Sequence, residues 1–212
     1  MTFSVNAVVV DLRNDQPRNT DKFLIDSNVL YWFGYTRSTQ DPKLGQSRIT
    51  LIGEYTKYIN IAIKLKSVLY KATLSFAEVA HIIEGTERRI FSKKQGLKTE
   101  IETKRFRHDY PTSRQGVVIE IQNTWSMIDS ITKNNTLDVT VDTPLITKSL
   151  QRIQTEAVDG YDCFMIEALL ASGITQVITD DADFGQVAGL TIFTANNKLL
   201  TEAHNQNKLI QR

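Results

Sequence analysis

The chain has 212 residues, of which 41% are hydrophobic and 23% charged, and its formal net charge is +1; this composition fits one globular domain with a sizeable core. No apolar run approaches the ~20 residues that cross a bilayer and the N-terminus lacks the basic start of a signal peptide, so we expect a cytoplasmic protein with no membrane partner. The single cysteine, Cys163, excludes an intrachain disulfide and any thiolate cluster, and only three histidines are present, which argues against a histidine-built zinc site.

Hydrophobic periodicity predicts strands that alternate with helices along the chain. In chain order the predicted elements are a strand at 23–25, helices over about 45–68, 75–94 and 117–133, a strand over about 136–141, helices over about 144–153 and 163–172, strands at 174–179 and 190–194, and a short C-terminal helix. Ser75 and Glu78 have the spacing of a capping box, and Pro111 and Gly116 are predicted to break a helix. This alternation implies an α/β fold with a central parallel sheet wrapped by helices.

Residues 87–114 form a basic segment. It contains nine Lys and Arg residues against four Asp and Glu, so its net charge is +5 and the rest of the chain carries −4. Within it, Arg105 and Arg107 alternate with Phe106 and Tyr110, a pattern that suits gripping phosphates and stacking on bases. A solvated helix face is the plainer interpretation of such a charge run.

Four acids stand where a site could form. Asp26 and Asp181 follow predicted strands, whereas Glu78 and Asp162 lie in the first turns of predicted helices. Ligands of parallel sheets bind outside the carboxyl ends of the strands, so these acids could meet there. Each acid also has a purely structural interpretation: Asp26 and Asp162 as helix caps, Glu78 as the partner of Ser75, and Asp181 as a turn residue.

The order and spacing of these acids resemble the motifs of PIN-domain nucleases of the VapC-like type. The matching stretches are FLIDSN, SFAE, YDCF and TDDADF. The stretch at 8–11 also ends in an acid, but Leu12 and Arg13 follow it where the family has small polar residues. The resemblance covers about 23–80 and 137–196. It implies a single three-layer α/β/α domain over residues 1–212, with a helical basic insertion at about 85–135.

The same resemblance implies a metal-dependent endoribonuclease. The implied catalytic acids are Asp26, Glu78, Asp162 and Asp181. The implied metal ligands are Asp26, Asp162, Asp181 and Asp183. The predicted substrate-binding residues are Asn28 and Thr179, beside the acids, and Arg105 and Arg107, in the basic segment. Carboxylates close together repel one another unless a cation compensates, and ligation by oxygen alone favours Mg²⁺ or Mn²⁺.

RNA is the partner that the resemblance implies. The family includes toxins of toxin–antitoxin pairs, so an antitoxin protein and a homodimer stay open as further partners. Two rival interpretations also stay open. A phosphatase of the haloacid dehalogenase type begins with a strand that runs into Asp, but it needs a second Asp where Asn28 stands. A PIN-like module without catalysis, which binds RNA or protein, would carry the same motifs.

Overall fold

The computed structural model describes residues 3–212, and over that range the chain forms one parallel sheet of seven strands with eight helices. The strands are β1 Val8–Asp11, β2 Lys22–Ile25, β3 Val68–Ala72, β4 Thr136–Leu137, β5 Gln176–Ile178, β6 Thr191–Thr194 and β7 Leu209–Ile210. The helices are α1 Ser27–Gly34, α2 Gln46–Lys64, α3 Ser75–Lys94, α4 Thr103–Asp109, α5 Pro111–Thr132, α6 Thr143–Thr155, α7 Gly160–Ser172 and α8 Asn197–Asn205. The spatial order is β4-β3-β2-β5-β6-β1-β7, and every pairing is parallel.

Alternate residues of the central strands face two separate cores, because the pleat of a strand sends successive side chains to opposite faces. Phe23 and Ile25 of β2 belong to a core with residues of α1, α2, α3 and α5. Leu24, between them, belongs to a second core with residues of α7 and α8. In β5, Ile178 and Val177 divide between the two cores in the same way. The fold is therefore a three-layer α/β/α arrangement, and the predicted fold class is confirmed.

Most of the predicted elements are present, but several of their boundaries differ from the prediction. Pro111 begins α5 instead of ending a helix, since a proline in the first turn has no intrahelical N–H bond to lose. Gly116 lies inside the same helix. The strand predicted over about 136–141 pairs only at Thr136–Leu137, where β4 forms the edge of the sheet beside β3.

The basic segment folds against the first core. Phe106 is fully buried and packs edge-on against Phe91, which also contacts Tyr110. The prediction that Phe106 offers a stacking surface to bases is therefore wrong. α5 also contributes the buried side chains of Val117 and Ile128 to this core, so the segment at about 85–135 is an integral part of it.

In the described part of the chain, no helix combines the length and the apolar character that crossing a membrane requires.

Candidate functional site

The sheet places Asp26 and Asp181 side by side at the carboxyl ends of its strands. β2 and β5 are parallel neighbours at the centre of the sheet, so their carboxyl ends lie side by side. Asp26 directly follows β2, and Asp181 follows β5 after two residues. Glu78 lies in the first turn of α3, and Asp162 in the first turn of α7. Four separate segments thus converge at the carboxyl ends of the central strands.

A cavity of about 520 Å³ brings the four acids together, and we call it the carboxylate cavity. It is lined by Asp26, Ser27, Asn28, Ala77, Glu78, His81, Ile82, Asp159, Tyr161, Asp162 and Asp181. Asn28 is exposed at this cavity, and its substrate-binding role stays a prediction. Asp183 is exposed and is not among the lining residues.

Three of the four acids have no capping role. Asp26 occupies the N-cap position of α1, but its side chain makes no capping hydrogen bond. α3 has no side-chain cap, and the buried Ser75 hydroxyl has no partner, so the capping box with Glu78 does not form. Asp159, not Asp162, caps α7, and it accepts two backbone N–H groups at 2.9 Å each. The interpretations of Asp26 and Asp162 as side-chain caps, and of Glu78 as the partner of Ser75, are therefore wrong.

Thr179 connects two of the acids. Its hydroxyl donates to Asp26 Oδ2 at 2.9 Å and accepts the backbone N–H of Asp181 at 2.8 Å. Asp181 Oδ1 in turn accepts the backbone N–H of Asp183 at 2.8 Å, which is the turn role considered for it. Because Thr179 is fully buried, the structure gives it a positioning role within the protein.

Burial and mutual repulsion disfavour the ionised form of Asp26, Asp162 and Glu78. Burial raises the pKa of Asp26 to about 7, and the charges of Asp181 and Glu78 act in the same direction. Burial raises the pKa of Asp162 to about 9, with further contributions from Asp26 and Asp159. The pKa of Glu78 is raised for the same two reasons, burial first and then the charge of Asp159. The carboxylate cavity is thus a place where negative charge lacks compensation.

The donors at this cavity are chemically suited to a hard cation, but they do not form a ready-made metal centre. Among residues 3–212, no three His, Cys, Asp or Glu side chains are arranged so that they could hold a metal ion. The acids supply only oxygen, and their raised pKa values indicate that a cation would relieve their repulsion. Binding a metal would therefore require these side chains to move towards one another.

The two arginines predicted to bind substrate lie outside the carboxylate cavity. Arg105 is exposed and pairs with Asp109, with Nε 3.2 Å from Oδ2. Arg107 binds Glu84 through two N–H groups, one of them from Nε to Oε1 at 2.6 Å. Much of the segment's charge is thus already paired within the protein.

Among the ionisable residues that line the carboxylate cavity, sequence reasoning missed Asp159, Tyr161 and His81. Asp159 could have been found, because an acid three residues before Asp162 and directly before a glycine fits a helix cap. Tyr161 stands beside Asp162 in the stretch YDCF, but neither its side chain nor that of His81 could be placed in the cavity from sequence, since their position depends on how α7 and α3 pack around the end of β2.

The acid at the end of β1 does not take part. Asp11 lies outside the carboxylate cavity, and its carboxylate pairs with Arg13 Nε at 2.8 Å.

Neither a comparison with known protein-family models nor a search of curated proteins finds a significant match to this chain. The resemblance to PIN-domain nucleases thus rests on the sequence motifs alone.

Proposed function

We propose that this protein is a metal-dependent endoribonuclease of the PIN type. The observation that carries the proposal is the convergence of Asp26, Glu78, Asp162 and Asp181 on one cavity at the carboxyl edge of the sheet. Three of these acids, the buried Asp26 and Asp162 and the half-buried Glu78, have no side-chain capping role that would account for their positions. Burying several carboxylates together is energetically unfavourable. A function that requires a bound cation would explain why the protein keeps them together.

The four acids would have different roles. Asp26, Asp162 and Asp181 would hold Mg²⁺ or Mn²⁺, and Glu78 would bind the metal or orient water. A bound cation of this kind lowers the pKa of water and offsets the charge that develops on a phosphate. Thr179 holds Asp26 in one orientation through its hydroxyl. Cleavage in this manner leaves a 5′-phosphate and a 3′-hydroxyl and needs no nucleophile from the protein.

RNA is the substrate in this proposal, and the toxin of a toxin–antitoxin pair is the biological setting that the resemblance suggests. An antitoxin protein and a second copy of the chain would be its partners in that setting.

A second candidate is a PIN-like module that binds RNA or protein without catalysis. The observation that favours it is that, in the described range 3–212, no three acidic, histidine or cysteine side chains are arranged to hold a metal. The two candidates differ in one measurable property, cleavage that depends on metal.

The test is an incubation of the protein with a mixed panel of RNAs in Mg²⁺, in Mn²⁺ and in EDTA. We expect cleavage with either metal and none in EDTA. Asp162→Asn should abolish cleavage. Asp11→Asn is the matched control, because it changes an acid at the end of another strand but outside the cavity, and it should leave cleavage unchanged. RNA that stays intact in both metals while it binds the protein would contradict the nuclease and support the binding module.

A further inference from the structure

A second cavity, of about 260 Å³, adjoins the carboxylate cavity. The two share Ala77 and His81, so they are neighbours along α3. The charged residues of this second cavity are Glu84, Arg107 and Arg114, and we call it the arginine cavity. Arg107 comes from α4 and Arg114 from α5, both in the basic segment.

The arginine cavity holds more positive charge than its own acid satisfies. Two guanidinium groups face the single buried carboxylate of Glu84. Arg107 donates hydrogen bonds to both carboxylate oxygens of Glu84. Arg114 Nη1 lies 3.8 Å from Glu84 Oε1, which is too far for a hydrogen bond, and this buried nitrogen has no hydrogen-bond partner. The cavity therefore carries a net positive charge with unsatisfied donor capacity.

A purely structural role explains Arg107 but not Arg114. The paired contact of Arg107 with Glu84 already ties α4 to α3. The looser approach of Arg114 adds little to that link, because a partly exposed ion pair at such a distance contributes little to stability. What Arg114 does supply is a second guanidinium at the wall of a cavity, and paired guanidiniums are well suited to phosphate oxygens.

We propose that the arginine cavity binds a backbone phosphate of the same RNA strand that enters the carboxylate cavity. The inference rests on the proposed function, because it takes the strand to pass the acids. The carboxylate cavity repels a polyanion, whereas the adjoining arginine cavity attracts it, so the strand is held beside acids that would otherwise drive it away. His81 lines both cavities and is exposed, so it is available to a strand that contacts both.

The first test compares Arg114→Gln with Arg105→Gln, which removes the same charge from the same segment but outside both cavities. The probe is a fluorescent single-stranded RNA of mixed sequence, and its affinity is measured against salt in EDTA, so that no cleavage is needed. Arg114→Gln should weaken binding roughly tenfold, as expected for a lost charge-assisted hydrogen bond. It should also reduce the salt slope by about 0.7, the contribution of one phosphate on a single strand. Arg105→Gln should change both quantities much less.

The second test uses a variant that should strengthen RNA binding instead of weakening it. Glu84→Gln removes the carboxylate that competes with phosphate for the two arginines but keeps an oxygen for Arg107. We expect this variant to bind the RNA several-fold more tightly and with a steeper salt slope. A network that only holds α3 and α4 together would give unchanged or weaker binding instead. Thermal melting of both variants verifies that they fold.

The outcomes separate this inference from the proposed nuclease activity. If the wild type cleaves RNA but Arg114→Gln and Arg105→Gln bind it equally, the arginine cavity is not a phosphate site and the nuclease proposal stands. If no RNA is cleaved but Arg114→Gln selectively loses affinity and salt slope, the phosphate site stands and the nuclease proposal fails. A wild type that does not bind the RNA overturns the inference outright.

Discussion

Asp180 and Asp181 are adjacent in the sequence, but their carboxylates have different surroundings. Asp180 Oδ2 pairs with Arg48 Nη1 at 2.6 Å, and Oδ1 accepts the Tyr55 hydroxyl at 2.9 Å. Asp181 lines the carboxylate cavity, where other acids surround it. Removing the charge of a paired acid loses favourable contacts, whereas removing the charge of a crowded acid relieves repulsion. Acids at this end of the sheet should thus respond to amide substitution with opposite signs.

Asp162→Asn should stabilise the metal-free protein, and the gain should grow with pH. Below about pH 4, Asp162 is protonated in both folded and unfolded chains, so the variant and the wild type should differ little. As pH rises towards 9, the unfolded chain ionises while the raised pKa of about 9 keeps the folded side chain protonated, so the wild type loses stability. We expect the gain to increase steadily from about pH 4 towards pH 9, measured by urea denaturation in EDTA.

Asp180→Asn is the matched control for this experiment, since it loses the ion pair with Arg48. It should destabilise the protein across the neutral pH range, by roughly 1–3 kcal/mol. An Asp162→Asn variant that is destabilised to the same degree would mean that its carboxylate is not in a repelling cluster.

Thr179→Val should alter the surroundings of the acids while leaving the acids themselves unchanged. The substitution keeps the shape of the buried side chain but removes its hydrogen bonds to Asp26 and to the backbone of Asp181. Since the hydroxyl favours the ionised form of Asp26, its loss should raise the pKa of Asp26 above about 7. Titration by carboxyl-carbon NMR measures this directly. An unchanged pKa would show that Thr179 does not control that carboxylate.

The start of α7 is the element whose geometry matters most for the acids, because it carries Asp162 in its first turn. Asp159→Ala removes the cap that accepts two backbone N–H groups, and should cost about 1 kcal/mol. Cleavage should fall as well, since a frayed first turn no longer fixes Asp162. Chemical denaturation gives the first quantity and single-turnover cleavage the second. Asp142→Ala, which removes the cap of α6 away from the carboxylate cavity, should have the same cost in stability and leave cleavage unchanged.

Elements with a strong local pattern were predictable from the sequence. α3 spans Ser75–Lys94, as its apolar periodicity indicates, and α6 spans Thr143–Thr155, close to the predicted helix over about 144–153. β1 and β3 were not predicted, and α4 is only seven residues long. The seven residues of α4 carry too little pattern to distinguish them from a loop, and their helical form depends on burying Phe106 against Phe91.

The candidate acids were predictable as residues, but their environment was not. The motifs point to Asp26, Glu78, Asp162 and Asp181, and these four do line one cavity. The pairing of Arg107 with Glu84 joins positions in two different helices, and no periodicity within either helix indicates it. Sequence charge alone therefore overstates how much of the basic segment is free to bind a polyanion.

The stability of the whole molecule should respond to metal. A ligand that binds only the folded state stabilises it by mass action, so millimolar Mg²⁺ or Mn²⁺ should raise the melting temperature by a few degrees. Asp181→Ala should reduce that rise, because it removes a proposed ligand from the carboxylate cavity. Differential scanning calorimetry with and without metal measures both effects. Melting curves that coincide across the metal series would contradict the metal site.

β1 lies between β6 and β7, although it is the first strand of the chain. Val8 pairs with Thr191, and Val9 pairs with Leu209. Both strands that pair with β1 are therefore synthesised only at the end of the chain. During translation its backbone N–H and C=O groups stay unpaired while β2, β3 and β4 can already associate. Contacts so distant in sequence form slowly, and the nascent chain offers other polypeptides an open apolar strand during that interval. We therefore expect the amides of β1 to gain protection last in pulsed hydrogen exchange, and chaperones that hold extended apolar segments to raise the yield of folded protein.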